Sequence, residues 1–163
     1  MIRPAKYGDI PRITGLMVEA YQASRYVAMG EMDLKEAKSI VMNAIQRHGQ
    51  DGAGGCCVFA AERGGAVEGF IIGVLDRCYH VGVPLMANDL MFWVSPRAGA
   101  REARELATAY RDWALANERV VEVRGSFTDA FADPEMTTKL YEALGFRWCG
   151  GIFEMTVERG ESP

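Results

Sequence analysis

An apolar run, a loop of small residues and an amphipathic segment follow one another in the middle of the chain, and this stretch constrains the fold most. Residues 90–94 are rich in aromatic and branched side chains, which predicts a buried strand. Pro96 ends that strand, because proline has no N–H to donate to a sheet. A loop around Gly99 then leads to a helix predicted to begin at about Glu102. The apolar positions of this helix recur at steps of three and four residues: Ala103, Leu106, Tyr110, Trp113 and Ala114.

Such a strand–loop–helix unit is a potential anion site. The N–H groups in the first turn of a helix have no partner within the helix, and the helix dipole favours negative charge there. Small residues in the loop allow a ligand to approach the backbone closely.

The sequence before this unit predicts a strand, two helices and a hairpin. A short strand at residues 2–5 precedes a helix that Asp9 is expected to cap, and Asp33 is expected to cap a second helix. Two apolar strands, at residues 57–62 and 67–75, are separated by a pair of glycines and therefore predict a hairpin.

The sequence after the unit predicts a parallel strand, a helix and a closing strand. Residues 120–123 form the strand, which runs parallel to residues 90–94 because a helix crosses over between them. A helix over residues 136–144 ends at Gly145, a residue that fits a helix C-cap, and a final strand is predicted around residues 152–157.

Length and composition indicate one soluble globular domain spanning residues 1–163, with 49% hydrophobic and 25% charged residues. The net charge of −4 provides no basic field, so a nucleic-acid partner is not expected. No leading export segment and no membrane-length apolar run is present, so neither export nor membrane insertion is expected. The four cysteines lack Cys-x-x-Cys spacing, which predicts reduced thiols, a cytoplasmic location and no metal site.

Residues 94–106 resemble the pyrophosphate loop of the GNAT superfamily, the acyl-CoA-dependent N-acyltransferases. That loop usually reads Val-x-Pro, two residues, then Arg/Gln-x-x-Gly-x-Gly/Ala. Counting back from Leu106 assigns the last small position, the middle glycine and the leading Arg/Gln in turn to Ala103, Arg101 and Ala98. Counting forward from the proline leaves the loop one residue short.

Two further motifs extend the resemblance over nearly the whole chain. The opening Ile-Arg-Pro-Ala-x-x-x-Asp-Ile-Pro-x-Ile is similar to the first strand and helix of GNAT proteins. The block Leu-Tyr-Glu-x-x-Gly-Phe at residues 140–146, placed before a predicted closing strand, is the more specific of the two.

The resemblance implies an α/β (α+β) fold with a mixed central sheet of six to seven strands and about four helices. An antiparallel meander would lead into a parallel pair that splays at the CoA slot. The implied function is transfer of an acetyl or other short acyl group from acyl-CoA to a primary amine of a small molecule or polypeptide, by direct attack. Acetyl-CoA or a related acyl-CoA would be the co-substrate, with no metal. The alternative is a non-catalytic CoA-binding or protein-interaction module, and a homodimer is left open.

The resemblance also suggests catalytic residues. Tyr141 matches the tyrosine that in many GNAT enzymes gives a proton to the leaving thiolate, and the alternative is a helix aromatic that packs on a strand. Asp89 lies where a family carboxylate sometimes deprotonates the amine; a salt bridge or a turn cap is the alternative, and Glu122 is a second candidate base. The backbone of Phe92 and Val94, which share one face of the strand, would pair with the pantetheine arm.

The loop and the helix start are expected to hold the diphosphate of the cofactor through backbone N–H groups. The residues with this predicted role are Ala98, Gly99, Ala100, Arg101, Glu102 and Ala103, and Tyr141 is expected to contact the cofactor as well. Arg101 either clamps a phosphate through its fork of donors or is a solvated charge. The connection between the first two helices is expected to line the acceptor groove, with Tyr21, Tyr26, Met29 and Glu31 as candidates.

Overall fold

The computed structural model describes residues 1–128, 130 and 133–155. In chain order the elements are β1 (Ile2–Pro4), α1 (Ile10–Ala23), α2 (Leu34–Gln46), β2 (Cys56–Arg63), β3 (Ala66–Arg77), β4 (Leu85–Val94), α3 (Ala100–Leu115), β5 (Val120–Arg124) and α4 (Pro134–Ala143). Short 3-10 turns at Tyr7–Asp9, Arg25–Ala28 and Cys78–His80 lie in the connections. Within the described ranges, no helix has both the length and the apolar character needed to cross a membrane.

The described strands form one mixed sheet in the order β1-β2-β3-β4-β5. Strands β1 to β4 pair antiparallel, and β4 pairs parallel with β5. The predicted meander, parallel pair and four helices are therefore confirmed. The described residues contain five strands rather than the six to seven expected. Of the predicted closing strand, residues 152–155 are irregular, because they pair with no neighbouring strand, and residues 156 and 157 lie outside the described residues.

The sheet separates two apolar cores. Helices α1 and α2 cover one face, where Leu16 and Val41 are fully buried, and α3 covers the other, where Leu106 is fully buried. Adjacent Cys56 and Cys57 belong to opposite cores, as expected from the alternation of side chains along a strand. The sheet is thus covered on both faces, which explains why β3 is apolar along almost its whole length.

The helix starts follow local hydrogen bonding. Asp33 caps α2 as predicted, since its carboxylate accepts from the N–H groups of the next turn. Asp9 occupies the N-cap position of α1 as predicted, but its side chain makes no capping hydrogen bond, because its carboxylate accepts from the Lys6 N–H at 2.7 Å and pairs with Arg3. Helix α3 begins earlier than expected, at Ala100. Strand β4 also begins earlier than the predicted residue 90, at Leu85, and its first three residues are buried and pair with both β3 and β5.

Candidate active site

The two parallel strands separate in the middle of the sheet. The pairing of β5 with β4 runs from Leu85 to Asn88 and stops there. Residues 89–94 of β4 keep β3 on one edge and have no strand partner on the other edge among the described residues. Leu90 is an extra residue opposite β3 and forms a bulge, which bends the strand at this point. This splay, between residues 89–94 and the end of β5, is called the slot below.

The side chains of the open edge alternate as predicted. Phe92 and Val94 pack against the core under α3, whereas Met91 and Trp93 pack against the core under α1 and α2. The bulge lies before these residues, so it leaves their alternation intact. The pairing of this edge with a pantetheine arm stays a prediction.

Asp89 is the first residue of β4 beyond the β5 pairing, and its carboxylate is buried, with 9% of the residue exposed. One oxygen, Oδ1, accepts from the backbone N–H of Ser126 at 2.8 Å and from the Ser126 hydroxyl at 2.7 Å. The other oxygen, Oδ2, accepts from the hydroxyl of Tyr141 at 2.6 Å. Asp89 thus joins β4, the segment after β5 and α4 at the base of the slot.

Tyr141 is held from several sides. The residue is 5% exposed, its ring lies edge-on to Phe146 at 5.1 Å, and it packs directly on Gly125. A Cβ atom at Gly125 would lie 2.2 Å from the ring, so only glycine fits there. Gly145 ends the helical segment with a φ of 89°, as the sequence predicted for a C-cap.

Burial raises the pKa of both members of the Asp89–Tyr141 pair. It raises the pKa of Asp89, while the hydrogen bonds from Tyr141 and Ser126 act in the opposite direction. It also raises the pKa of Tyr141, and the nearby charge of Asp89 raises it further. Tyr141 is therefore a phenol at neutral pH, and Asp89 takes up a proton more readily than an exposed aspartate does.

The loop after β4 is tied to β3 and α1. The Ser95 hydroxyl donates to Glu68 Oε2 at 2.7 Å, and the Ser95 N–H donates to the Glu68 carbonyl at 2.8 Å. Arg12 donates to the same carboxylate at 2.8 Å. The Ser95 hydrogen bond and then Arg12 lower the pKa of Glu68, so this carboxylate stays charged. These contacts fix the direction in which the loop leaves the strand.

The start of α3 carries a contact that the motif did not predict. Glu102 Oε2 accepts from the N–H of Gly99 at 3.0 Å, a capping-box hydrogen bond that engages one of the N–H groups expected to hold phosphate. Arg101 donates to Glu105 at 2.7 Å and its side chain is 84% exposed, which fits the solvated-charge alternative for this residue. Two of the other predicted donors are engaged within the protein, since the N–H of Ala98 donates to the Ser95 carbonyl at 2.9 Å and the N–H of Ala103 donates to the Gly99 carbonyl at 3.2 Å. The backbone N–H of Ala100 stays a predicted donor.

Other predicted residues lie apart from the pair or serve as structural contacts. Glu122 accepts from Arg124 at 2.6 Å on the exposed surface of β5 and does not join the Asp89–Tyr141 pair. The Tyr21 hydroxyl donates to the Gly30 carbonyl at 2.8 Å and lies 3.1 Å from the Tyr26 carbonyl, and so holds the α1–α2 connection together.

Gly125 and Ser126 contact the pair although neither residue carried a predicted role. The available signal was a pair of small residues directly after a parallel strand, at the carboxyl end where α/β sheets place ligand and turn contacts.

Among the residues that the structure describes, no group of three or more His, Cys, Asp or Glu side chains could hold a metal ion.

No family model matches the sequence, and no curated protein sequence matches it either. Solved structures do match over nearly the full length. The ribosomal-protein-alanine N-acetyltransferase from Brucella melitensis biovar Abortus 2308 is 19% identical, with a TM-score of 0.62 and coverage of 98% of this chain and 99% of that one. An acetyltransferase of Trypanosoma brucei is 14% identical, with a TM-score of 0.67 and coverage of 96% and 99%.

A third structure is AAC(6')-Iy in complex with the bisubstrate analogue CoA-S-monomethyl-acetylneamine. It is 17% identical, with a TM-score of 0.70 and coverage of 98% of both chains. These likenesses agree with the mixed sheet, the splayed parallel pair and the strand–loop–helix unit described above. The chain therefore has the fold of the GNAT acetyltransferases.

Proposed function

We propose that the protein is an N-acyltransferase that moves an acetyl or other short acyl group from acyl-CoA to a primary amine. The observation that carries this proposal is the Asp89–Tyr141 pair. Two residues separated by 52 positions, each suggested as catalytic on separate grounds, share a 2.6 Å hydrogen bond at the base of the slot.

Each part of the site has a role in this reaction. The open edge at residues 89–94 offers backbone groups to the pantetheine arm, and the loop with the first turn of α3 faces the diphosphate. The bound acyl-CoA supplies a thioester, which provides the acyl group and a thiolate leaving group. The α1–α2 connection forms the acceptor wall, with the hydroxyl of Tyr21 bracing it.

The proton at Tyr141 Oη is controlled by Asp89. With Asp89 ionised, the phenol donates to Oδ2 and its proton is directed away from the slot. With Asp89 protonated, the carboxyl O–H donates to Tyr141 Oη, and the phenolic proton is free to point into the slot. Burial, which raises the pKa of Asp89, favours this second state. Asp89 is then a positioning residue: its carboxyl proton replaces the proton that Tyr141 gives to the leaving thiolate. The proton released by the amine passes to water.

The second candidate is a non-catalytic CoA-binding module with the same fold. The observation in its favour is the start of α3, where the N–H groups of Ala98, Gly99 and Ala103 already have acceptors within the protein and Arg101 is directed toward Glu105. In either case we propose a cytoplasmic protein, which agrees with four free thiols.

The test has two stages. Calorimetric titration with acetyl-CoA measures binding, and a thiol-release assay over a panel of small amines and peptide N-termini measures transfer. Binding together with amine-dependent thiol release supports the enzyme. Binding without release for any amine supports the module, and absence of binding to the folded protein refutes both.

A further inference from the structure

Ser126 supplies two hydrogen-bond donors to a single oxygen of Asp89. Its backbone N–H donates to Oδ1 at 2.8 Å, and its hydroxyl donates to the same atom at 2.7 Å. The other oxygen, Oδ2, accepts from the hydroxyl of Tyr141 at 2.6 Å. Ser126 lies two residues beyond the end of β5, and Gly125 before it packs on the ring of Tyr141, so the backbone of this segment is held against the pair. The two carboxylate oxygens therefore have different neighbours.

The chemistry of these donors decides where a proton on Asp89 is held. A backbone N–H can only donate, so the oxygen that it faces has to accept in both protonation states of the carboxyl group. A protonated carboxyl group has one O–H donor and one carbonyl oxygen that only accepts. Because the Ser126 N–H faces Oδ1, the O–H of Asp89 is favoured on Oδ2, where it is directed at the Tyr141 hydroxyl. In that arrangement the phenolic proton is free to point into the slot.

We propose that Ser126 is a positioning residue for acyl transfer: its N–H directs the carboxyl proton of Asp89 to Oδ2, and its hydroxyl sets the pH range over which that proton is retained. The inference rests on the proposed function, because this proton is the one that replaces the proton lost from Tyr141. A hydrogen bond to an ionised carboxylate is stronger than one to a neutral carboxyl group, so the Ser126 hydroxyl favours the ionised state. It thereby moves the decline of the transfer rate to lower pH.

The elements packed around Asp89 contribute few groups that titrate near neutral pH. In the described part of the chain, the titratable side chains that these elements place near it are Tyr141 on α4, Tyr110 on α3, Cys57 on β2 and the ion pair of Arg124 with Glu122 on β5. Burial raises the pKa of both phenols and of the thiol, so all three are neutral at pH 7. The Arg124 guanidinium donates to Glu122 at 2.6 Å, so its charge is already partnered. A titration near neutral pH at this place is therefore assigned to Asp89.

The test compares the wild type with Ser126→Ala, which removes the hydroxyl and keeps the N–H. Carboxyl-carbon NMR measures the titration of Asp89 in the free protein, with the signal assigned by its absence from Asp89→Asn. A pH–rate profile with a competent amine measures transfer. Both the Asp89 midpoint and the pH at which the rate declines are expected to rise by about 0.5–1 pH unit, because the ionised carboxylate loses a donor. Below that pH kcat is expected to stay within about threefold of the wild type, because the N–H still directs the proton.

Two further variants separate this role from a structural one. Ser126→Thr keeps a hydroxyl at an exposed position that has room for a methyl group, and it is expected to restore the wild-type midpoint. Ser39→Ala removes the same atom on α2, where the hydroxyl accepts from the Asn43 amide at 3.3 Å, and it is expected to shift neither midpoint. A serine with a structural role alone would lower Tm or kcat at every pH and leave both midpoints in place.

The outcomes for the inference and for the proposed function are distinct. An unchanged Asp89 midpoint in Ser126→Ala, or equal shifts in Ser126→Ala and Ser126→Thr, overturns the inference, and amine-dependent thiol release by the wild type then leaves the proposed function standing. Absence of thiol release by the wild type with every amine refutes the proposed function, and any role of Ser126 in transfer with it, whatever the NMR titration shows.

Discussion

Replacing Tyr141 by phenylalanine removes one hydroxyl group and keeps the ring that packs on Gly125 and Phe146. The hydroxyl donates the 2.6 Å hydrogen bond to Asp89 Oδ2, whereas both hydrogen bonds from Ser126 go to Oδ1. The substitution therefore leaves a buried carboxylate oxygen without its described donor. It also removes the proton that the proposed mechanism delivers to the leaving thiolate.

The two losses have different expected sizes. While Asp89 is ionised, the phenol donates to a charged group, and a hydrogen bond of that kind contributes about 1.5–3 kcal/mol to stability. For a chain of this size 1 kcal/mol corresponds to roughly 2–4 °C in Tm, so Tyr141→Phe is expected to lower Tm by roughly 3–12 °C. A positioned general acid contributes about 10²- to 10⁴-fold to the rate, and kcat is expected to fall by that factor. The affinity for CoA is expected to change little, because the hydroxyl acts only as charge develops on sulfur.

Tyr110→Phe provides a matched control on the neighbouring helix. Tyr110 is also fully buried, and its hydroxyl donates to the Arg124 carbonyl at 2.7 Å. Loss of this neutral hydrogen bond is expected to cost about 0.5–1.5 kcal/mol of stability, with kcat within about twofold of the wild type. The control thus separates the loss of a buried hydroxyl from the loss of a catalytic one.

The measurements are kcat and KM with a competent amine, single-turnover rates, CoA titration and thermal unfolding of both variants. The reasoning is refuted if Tyr141→Phe keeps the single-turnover rate of the wild type. Equal losses of rate in Tyr141→Phe and Tyr110→Phe would also refute it, because the effect would then follow stability alone.

Three further outcomes are expected. In the proposed mechanism the rate declines as the pH rises and Asp89 ionises. Asp89→Asn should lose that decline and retain at least a tenth of the wild-type kcat, since the amide can donate to the phenol as a protonated carboxyl does. If Asp89 were instead the general base, the same substitution would lower activity by roughly 10²-fold or more. Burial lowers the pKa of His48, whose Nδ1 accepts from the Val58 N–H at 3.1 Å. Urea unfolding should therefore show that the contribution of neutral His48 to stability is complete at about pH 7.5 and declines as the pH falls through about 6.5. His48→Gln should lack that decline. In native thiol titration the exposed Cys149 should react first. Burial raises the pKa of Cys57 to about 12, so this thiol should react only after denaturation. Early reaction of Cys57 would contradict its burial.

Local patterns in the sequence were sufficient for most of the fold. Side-chain periodicity predicted the strands and helices, because a buried strand or helix face must repeat apolar residues at its own period. The Asp33 cap and the C-cap at Gly145 were also predictable, since each depends on one residue and its immediate neighbours. Crossover by a helix was enough to predict that β5 runs parallel to β4.

Contacts between distant residues were decided by the tertiary structure. The capping hydrogen bond expected at Asp9 was lost because Arg3, on the first strand, competes for its carboxylate. The hydrogen bond between Asp89 and Tyr141 depends on where the pairing of β4 with β5 ends and on the bulge in β4. A shift of one residue in that register would turn Asp89 to the opposite face of the sheet. Sequence similarity could therefore suggest two catalytic residues, but only the packed sheet and α4 determine that they meet.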